Sequence, residues 1–200
     1  MNFAKDEKAA VYRAIETRRD VRNEFLSDPL SDELIHKLLS AAHSRPSVGF
    51  MQPWNFTLVS DADIKNAVWQ AFSRANEEAA LMFPDDKRSL YRSLKLEGIG
   101  RRRSPSASPA IRQRGGDVVL RANAQSAHGC LLPPSAPCRT SGWRHAPEGV
   151  GVGWVSIFHD DDIRRYWYPW HIEIVAWLCV GYVSQLYAEP ELAVKGWRQR

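Results

Sequence analysis

Cysteines, long apolar runs and a leader-like start are scarce or missing in this sequence, and each shortage argues against a class of protein. Three cysteines in 200 residues are too few for a disulfide-built scaffold, and an odd number fits a reducing compartment. The longest apolar run, Ile174 to Val183, is far shorter than the roughly 20 residues of a transmembrane helix. The first ten residues carry four charges and no apolar core, unlike a secretory signal. We therefore expect a cytoplasmic protein with no membrane partner.

The remaining composition is that of an ordinary globular domain. Hydrophobic residues make up 44% of the chain and charged residues 25%, which is typical of soluble proteins. Local patterns predict helices over Ala9 to Thr17, from a Ser31 cap to Pro46, over Asp61 to Met82 and over Ser89 to Leu96, and strands over Phe56 to Val59, Trp154 to Phe158 and Val175 to Val183. Helices followed by interleaved strands predict a single α+β domain spanning residues 1–200.

The net charge of +4 has a local source, residues 101–147. This segment holds eight arginines, no lysine, one acid and six of the twelve prolines, so it carries +7 while the rest of the chain carries −3. A basic disordered insert and an arginine-rich nucleic-acid arm are two interpretations, and a break in the coding frame is a third. Because only Trp143 is available to stack on bases, we expect no nucleic acid partner. A basic binding protein using Arg101 to Arg144 remains the non-enzymatic alternative.

The same segment contains four residue types that zinc prefers, His128, Cys130, Cys138 and His145. Their spacing is not that of a zinc knuckle, so we predict no metal site. No serine lies in a G-x-S-x-G setting, and the remaining cysteine, Cys179, lies in an apolar strand where a thiol is inert.

Residues 18–22, RRDVR, form a dense charge cluster directly after a predicted helix. Three guanidiniums within five residues can surround a phosphate, and they favour the charged form of Asp20 among them. A solvated charge run is the alternative interpretation.

Residues 46–55, PSVGFMQPWN, combine turn formers, apolar side chains and small polar groups. Such a loop is suited to lining a small-molecule pocket, although a buried connection with Phe50, Met51 and Trp54 in the core would have the same composition. By contrast, the glycines of Gly149 to Gly153 are not a dinucleotide fingerprint, because they precede a strand where that motif follows one.

Taken together, these blocks resemble the 5,6-dimethylbenzimidazole synthases of the flavin-dependent nitroreductase-like superfamily. The resemblance covers residues 10–100 and 148–200 and is carried by RRDVR, by AAH at 41–43, by PSVGFMQPWN, by LKLEGI at 94–99, by GVGVGWVSIF at 149–158, by VAWLCVGYV at 175–183 and by PELAVKGWRQR at 190–200. SVGFMQPWN is the most specific of these motifs, since general nitroreductases carry a looser version.

The resemblance implies an α+β sandwich, with a central sheet flanked by helices, that forms a homodimer with FMN bound at the dimer interface. It also implies that reduced FMN is consumed as a substrate, with molecular oxygen as co-substrate. The flavin would be broken into 5,6-dimethylbenzimidazole, the lower ligand of vitamin B12, and erythrose 4-phosphate. A separate flavin reductase would supply the reduced FMN.

Site residues also follow from the resemblance. Arg18, Arg19 and Arg22 would hold the flavin phosphate and ring edge, with Val21 in the same block. Asp20 would be placed for proton transfer near the ring and Ser156 would lie near its reactive face, so these two are the expected catalytic residues. Ser47 and Leu94 would contact the flavin.

Residues 101–147 depart from the family pattern, which places a central strand and a long core helix there. With plausible GC-rich codons read one base earlier, PPSAPCRTSGWRHAP at 133–147 becomes STVCAVQNLWLAARA, which resembles the core helix and has helical periodicity without proline. RRRSPSASPAI at 101–111 shifts in the same way to a strand-like run. We therefore hypothesise that compensating insertions and deletions scrambled the frame. An NAD(P)H-dependent FMN nitroreductase and an inactive, frame-damaged relative remain alternatives.

Overall fold

The computed structural model describes residues 2–44, 50, 52, 56–94, 107–111, 149–155, 157–159, 161–163 and 172–197. The elements along them are α1 (Lys5–Thr17), α2 (Asp32–His43), α3 (Ala62–Leu81), α4 (Asp85–Ser93), β1 (Ala107–Ile111), β2 (Val150–Val155), β3 (Ile172–Tyr182) and α5 (Glu191–Val194). No helix within these ranges is both long and apolar enough to cross a membrane.

The helix starts follow from their capping residues. The Ser31 hydroxyl accepts a hydrogen bond from the Leu34 N–H at 3.2 Å, which begins α2 as the sequence predicts. The Asp61 carboxylate accepts from the N–H groups of Asp63 and Ile64, both at 2.9 Å, and begins α3. These caps satisfy N–H groups that have no partner inside the helix.

Two predicted elements differ in the structure. The segment 56–59 contains only a single bridge residue, Thr57, so the predicted strand there is wrong. The helix predicted over 89–96 lies instead at 85–93, because its N-cap is Pro84. Proline is tolerated at a helix start since its missing N–H would have no intrahelical partner.

The described strands form an antiparallel sheet in the order β1-β3-β2. In its register, Gly153 of β2 lies opposite Cys179 of β3. β2 begins four residues earlier than predicted, because residues 150–153 of the glycine-rich run are themselves part of the strand.

β1 lies inside the anomalous basic segment, which the sequence interpretation leaves almost without strand or helix. The written sequence nevertheless pairs here, with Ala107 opposite Trp177 and Ile111 opposite Ile172. The register shifts between Ser108 and Pro109. A proline lacks the N–H that a regular ladder needs, so a bulge is where a strand accommodates it. The predicted core helix at 133–147 lies outside the described residues.

Helices cover both faces of the sheet. Side chains alternate along β3: Trp177 and Cys179 pack with Val68 and Phe72 of α3, while Leu178 and Val180 pack on the opposite face with side chains of α2. The predicted α+β sandwich, a central sheet flanked by helices, is confirmed.

Candidate functional site

The arginine cluster continues into an extended segment that lies against the glycine-rich strand. The Val21 N–H donates to the Val152 carbonyl at 3.1 Å, and the Leu26 N–H donates to the Tyr182 carbonyl at 2.8 Å. Phe25 forms an antiparallel bridge with Val183. Residues 18–26, called here the arginine segment, are therefore fixed across the ends of β2 and β3.

The glycines of β2 make this close packing possible. A Cβ built on Gly153 would lie 2.4 Å from the Val21 carbonyl oxygen, and one built on Gly151 would lie 2.7 Å from Cγ2 of Val21. Both distances are shorter than any ordinary contact, so only glycine fits at these positions. The glycine run therefore accommodates the arginine segment, which agrees with rejecting it as a dinucleotide motif.

Asp20 is held where the arginine segment meets β2. One carboxylate oxygen, Oδ1, accepts a hydrogen bond from the Trp154 N–H at 3.3 Å. The other, Oδ2, lies 3.9 Å from Nη2 of Arg22, and the side chain is 32% exposed. A carboxylate that is anchored at one oxygen and still accessible is suited to exchanging a proton with a bound molecule.

Arg22 joins Asp20 to Leu94, which lies more than 70 positions away in the sequence. Its Nη1 donates to the Leu94 carbonyl at 2.8 Å, and its side chain is largely buried. The structure thus brings three of the predicted site residues together: Asp20, Arg22 and Leu94. Val21 is another predicted site residue in the same segment, and its side chain is buried in the core.

Arg19 and Arg18 differ in their surroundings. The Arg19 guanidinium donates to the carbonyls of Tyr187 at 2.9 Å, Glu16 at 3.1 Å and Arg18 at 2.6 Å, and also to that of Ala188. Arg18 is the C-cap of α1 and is half-buried. Within the described ranges its guanidinium makes no such contacts, so it is the arginine of the cluster most available to an anion.

A buried thiol, Cys179, lies close enough to Asp20 to be affected by its charge, and the buried residue Lys65 lies near the same thiol. Burial, and to a lesser degree the charge of Asp20, raises the pKa of the Cys179 thiol to about 12. Burial lowers the pKa of Lys65, while the nearby charge of Asp61 acts in the opposite direction. Cys179 therefore stays protonated at neutral pH, which confirms that it is an inert core thiol and not a nucleophile.

Two predicted site residues, Ser47 and Ser156, lie outside the described residues. Of the loop 46–55, the structure describes Phe50 and Gln52, which have φ of 55° and 44°. Such positive φ values are uncommon for residues other than glycine and are found where a loop is held in a defined shape. The Phe50 ring is 80% exposed, so it is not the core residue that the alternative interpretation requires.

The sequence does not predict the contribution of the C-terminal arm, residues 184–197. The backbone carbonyl of Glu24 accepts a hydrogen bond from the Ser184 N–H at 2.9 Å. Its carboxylate accepts one from the Asn23 N–H at 3.1 Å. The Tyr187 hydroxyl donates to the same carboxylate. Burial is the largest single contribution and raises the pKa of Glu24, but the hydrogen bonds to its carboxylate together outweigh burial and lower that pKa. The spacing of Glu191 and Lys195, one helical turn apart, is the only signal in the sequence for a charged pair in this arm.

The guanidinium groups of the arginine segment fit an anionic group such as a phosphate. Guanidinium groups surround phosphate and carboxylate oxygens well, and the exposed Phe50 offers apolar surface. Within the described ranges no group of three or more His, Cys, Asp or Glu residues is arranged to hold a metal ion. The four candidate zinc ligands of the basic segment lie outside those ranges.

Comparison with protein families finds a match over more than half of the chain. The model of the nitroreductase family matches residues 15–124 of the chain, a range that includes the arginine segment and extends beyond residue 100, where the resemblance in the sequence stops.

Three curated relatives match nearly the whole chain and are named 5,6-dimethylbenzimidazole synthase. The protein of Rhodospirillum rubrum is 31% identical over 193 residues, which cover 92% of this chain and 86% of the relative. One protein of Rhodobacter capsulatus is 28% identical over 209 residues, covering 100% of this chain and 96% of the relative.

Solved structures show the same fold. An iodotyrosine deiodinase bound to FMN and 3-iodo-L-tyrosine superposes with a TM-score of 0.65 at 15% identity, covering 88% of this chain and 91% of that one. A BluB-like flavoprotein from Clostridium difficile superposes with a TM-score of 0.63 at 17% identity, covering 94% and 97%.

Proposed function

The chain belongs to the nitroreductase family, an oxidoreductase family, and we propose that it acts as a 5,6-dimethylbenzimidazole synthase. The observation that carries the proposal is the position of Asp20. Its carboxylate is anchored by the Trp154 N–H, lies beside the Arg22 guanidinium and is still one-third exposed. The curated relatives that match most of the chain carry this name and support the same assignment.

The proposed reaction consumes reduced FMN and molecular oxygen. It releases 5,6-dimethylbenzimidazole, erythrose 4-phosphate and the four-carbon, two-nitrogen pyrimidine portion of the ring, with oxygen as the oxidant for the cleavage. The reduced flavin supplies both the electrons for oxygen and the carbon atoms of the benzimidazole, so it is a substrate and not a recycled cofactor. The product would serve as the lower ligand of cobalamin.

The arginines bind the substrate in this proposal. The Arg18 guanidinium has no hydrogen bond or ion pair among the described residues, so it is available to a phosphate. Arg22 donates to Leu94 and lies beside Asp20, which suits it to the edge of the ring. Arg19 stays in the proposal as a flavin-binding residue. Its guanidinium already donates to four carbonyls, so it also holds the backbone of the arginine segment against the C-terminal arm.

Asp20 moves a proton at the ring. Because its Oδ1 is occupied by the Trp154 N–H, its Oδ2 is the oxygen that accepts or returns the proton. Ser156 stays in the proposal as the second catalytic residue near the reactive face. Ser47 and Leu94 stay as flavin contacts. Val21 stays in the set as the buried residue that packs the arginine segment against the core.

The enzyme works as a homodimer in this proposal. α1 buries none of its residues within the described part of the chain, and it carries exposed apolar side chains at Val11, Tyr12 and Ile15. A second copy would cover this stripe. A separate flavin reductase would deliver the reduced FMN, since the reaction destroys the flavin that it uses.

The test is a single-turnover assay on the purified chain. Photoreduced FMN is added under argon, oxygen is admitted, and products are separated by chromatography with mass detection. The proposal predicts 5,6-dimethylbenzimidazole and a matching loss of FMN. A folded protein that binds FMN and leaves it intact would contradict the proposal.

An NAD(P)H-dependent nitroreductase is the second candidate. A relative from Archaeoglobus fulgidus named putative NADH dehydrogenase/NAD(P)H nitroreductase is 37% identical over 84 residues, but these cover only 40% of this chain. That activity would oxidise NAD(P)H over many turnovers with the flavin conserved, so the same chromatogram separates the two. If the chain neither folds nor binds FMN, the inactive, frame-damaged relative is the remaining interpretation.

A further inference from the structure

Glu191 is a charged residue that the protein buries. Its side chain in α5 is only 6% exposed, although burying a carboxylate is costly unless cations accompany it. Two cations do so. Nζ of Lys195 lies 2.6 Å from Oε1, and Nε of Arg22 lies 3.7 Å from Oε2.

The two oxygens of Glu191 are not equivalent. Oε1 forms a close charge-assisted contact with Lys195, which fixes the rotation of the carboxylate. Among the described residues, Oε2 is buried and has no hydrogen-bond partner, and the cation that lies beside it is the Arg22 guanidinium. The negative charge on this oxygen is therefore compensated by the Arg22 guanidinium while that group stays beside it.

Three segments therefore fix the guanidinium of Arg22. Glu191 attracts its Nε edge, the Leu94 carbonyl accepts from Nη1 at 2.8 Å, and Asp20 lies 3.9 Å from Nη2. Without Glu191, the one direct hydrogen bond left to the guanidinium within the described part of the chain would be that to Leu94. The guanidinium could then rotate about that bond.

We propose that Glu191 is a positioning residue for flavin binding, acting through Arg22 and itself held in place by Lys195. The inference rests on the proposed function, because it assigns the purpose of fixing Arg22 to the flavin. Glu191 does not touch the substrate in this account. It determines the orientation in which Arg22 meets both the flavin and Asp20.

The test compares FMN affinity in three proteins by quenching of flavin fluorescence. Glu191→Gln keeps the shape of the side chain and removes its charge, so we expect roughly tenfold weaker FMN binding, the scale of one charge-assisted contact. Glu189→Gln removes an exposed carboxylate from the same arm and is expected to bind FMN like the unaltered protein. Circular dichroism and the melting temperature of the flavin-free proteins show whether each variant folds.

A double-mutant cycle separates positioning from a general structural role. In an Arg22→Gln background, Glu191→Gln is expected to have no further effect on FMN affinity, because the two residues act as a unit. Should Glu191→Gln fail to fold, Lys195→Gln releases the same carboxylate from its other side. A smaller weakening in the same direction is then expected.

A readout without flavin completes the test. In an NMR spectrum of the flavin-free protein, the Arg22 Nε–H signal is expected to move in Glu191→Gln and to stay in place in Glu189→Gln. Unchanged or tighter FMN binding in Glu191→Gln, or equal weakening in both backgrounds, would overturn the inference. If the unaltered protein binds no FMN, the proposed function fails and the Arg22 signal alone decides whether Glu191 positions this guanidinium.

Discussion

Gly153 lies directly against the backbone of Val21, so closely that a single added methyl group would come within 2.4 Å of the Val21 carbonyl oxygen. These residues are far apart in the chain, yet this contact sets the position of Asp20, the residue before Val21. The arrangement explains why β2 contains glycine where side chains would otherwise pack.

Gly153→Ala is therefore expected to lower the free energy of unfolding by about 1–3 kcal/mol, the usual range for an overpacked core. The arginine segment must shift, because the obstructing atom belongs to the backbone and cannot rotate away. FMN affinity should also fall, because this shift displaces the arginine segment. Chemical denaturation and a flavin titration measure the two effects.

Gly151→Ala is the matched comparison. Its nearest obstacle is a side-chain atom, Cγ1 of Val183 at 2.4 Å, so the added substitution Val183→Ala should restore part of the stability. Wild-type stability and affinity in Gly153→Ala would show that the arginine segment does not pack as described.

His159 predicts a local pH dependence. Its Nε2 lies 2.9 Å from Oε2 of Glu78, and this hydrogen bond, with the charges of Glu78 and Asp162, raises the pKa of His159 above its ordinary value of 6.5 although Arg74 opposes the shift. The pair therefore contributes to stability fully below pH 6.5, and the contribution is lost as the pH rises through the raised pKa. In an NMR titration, Glu78→Gln should lower the pKa of His159.

The neighbouring glutamate supplies the control for this titration. Glu77 pairs with Arg92 and not with His159, so Glu77→Gln should leave the histidine titration unchanged. An identical histidine pKa in the unaltered protein and in Glu78→Gln would contradict the pairing.

Cys179 offers a probe of folding. Because the thiol is fully buried and its pKa is about 12, iodoacetamide at pH 8 should leave it unmodified in the native protein. The same reagent should modify it after denaturation in guanidinium chloride, as measured by peptide mass mapping. Rapid native labelling at Cys179 would mean that the sheet is not packed as the structure shows.

The basic segment makes a prediction about the gene. Resequencing across residues 101–147 is expected to reveal compensating insertions and deletions that restore a proline-free helix over 133–147. β1 shows that part of the written segment still pairs with β3, with a bulge at its proline. An unaltered frame in a well-read gene would refute the hypothesis.

Local signals in the sequence were enough to predict where α2 and α3 begin, but they placed the start of α4 wrongly and did not predict α5. Ser31 and Asp61 begin α2 and α3 because capping depends on atoms only two or three residues apart. The predicted strand at 56–59 fails because an apolar run can be buried without joining a sheet. Strand pairing depends on distant partners, which is why the extent of β2 and the presence of β1 could not be predicted.

The candidate site could be predicted only in part, for the same reason. The arginine segment is visible in the sequence because its charges are adjacent. Its contacts with Trp154, Leu94 and Tyr187 join positions that no local pattern relates. The buried Glu191 was missed because a glutamate in a short, charged C-terminal helix ordinarily lies in solvent.

The most direct measurement compares product formation in the unaltered protein and in Asp20→Asn, with both saturated with photoreduced FMN before oxygen is admitted. Asparagine keeps an oxygen that can accept from the Trp154 N–H, so FMN affinity should be largely retained. It cannot accept the proton, so 5,6-dimethylbenzimidazole should form only in the unaltered protein. Equal product from both proteins, or a collapse of FMN affinity in Asp20→Asn, would contradict the role assigned to Asp20.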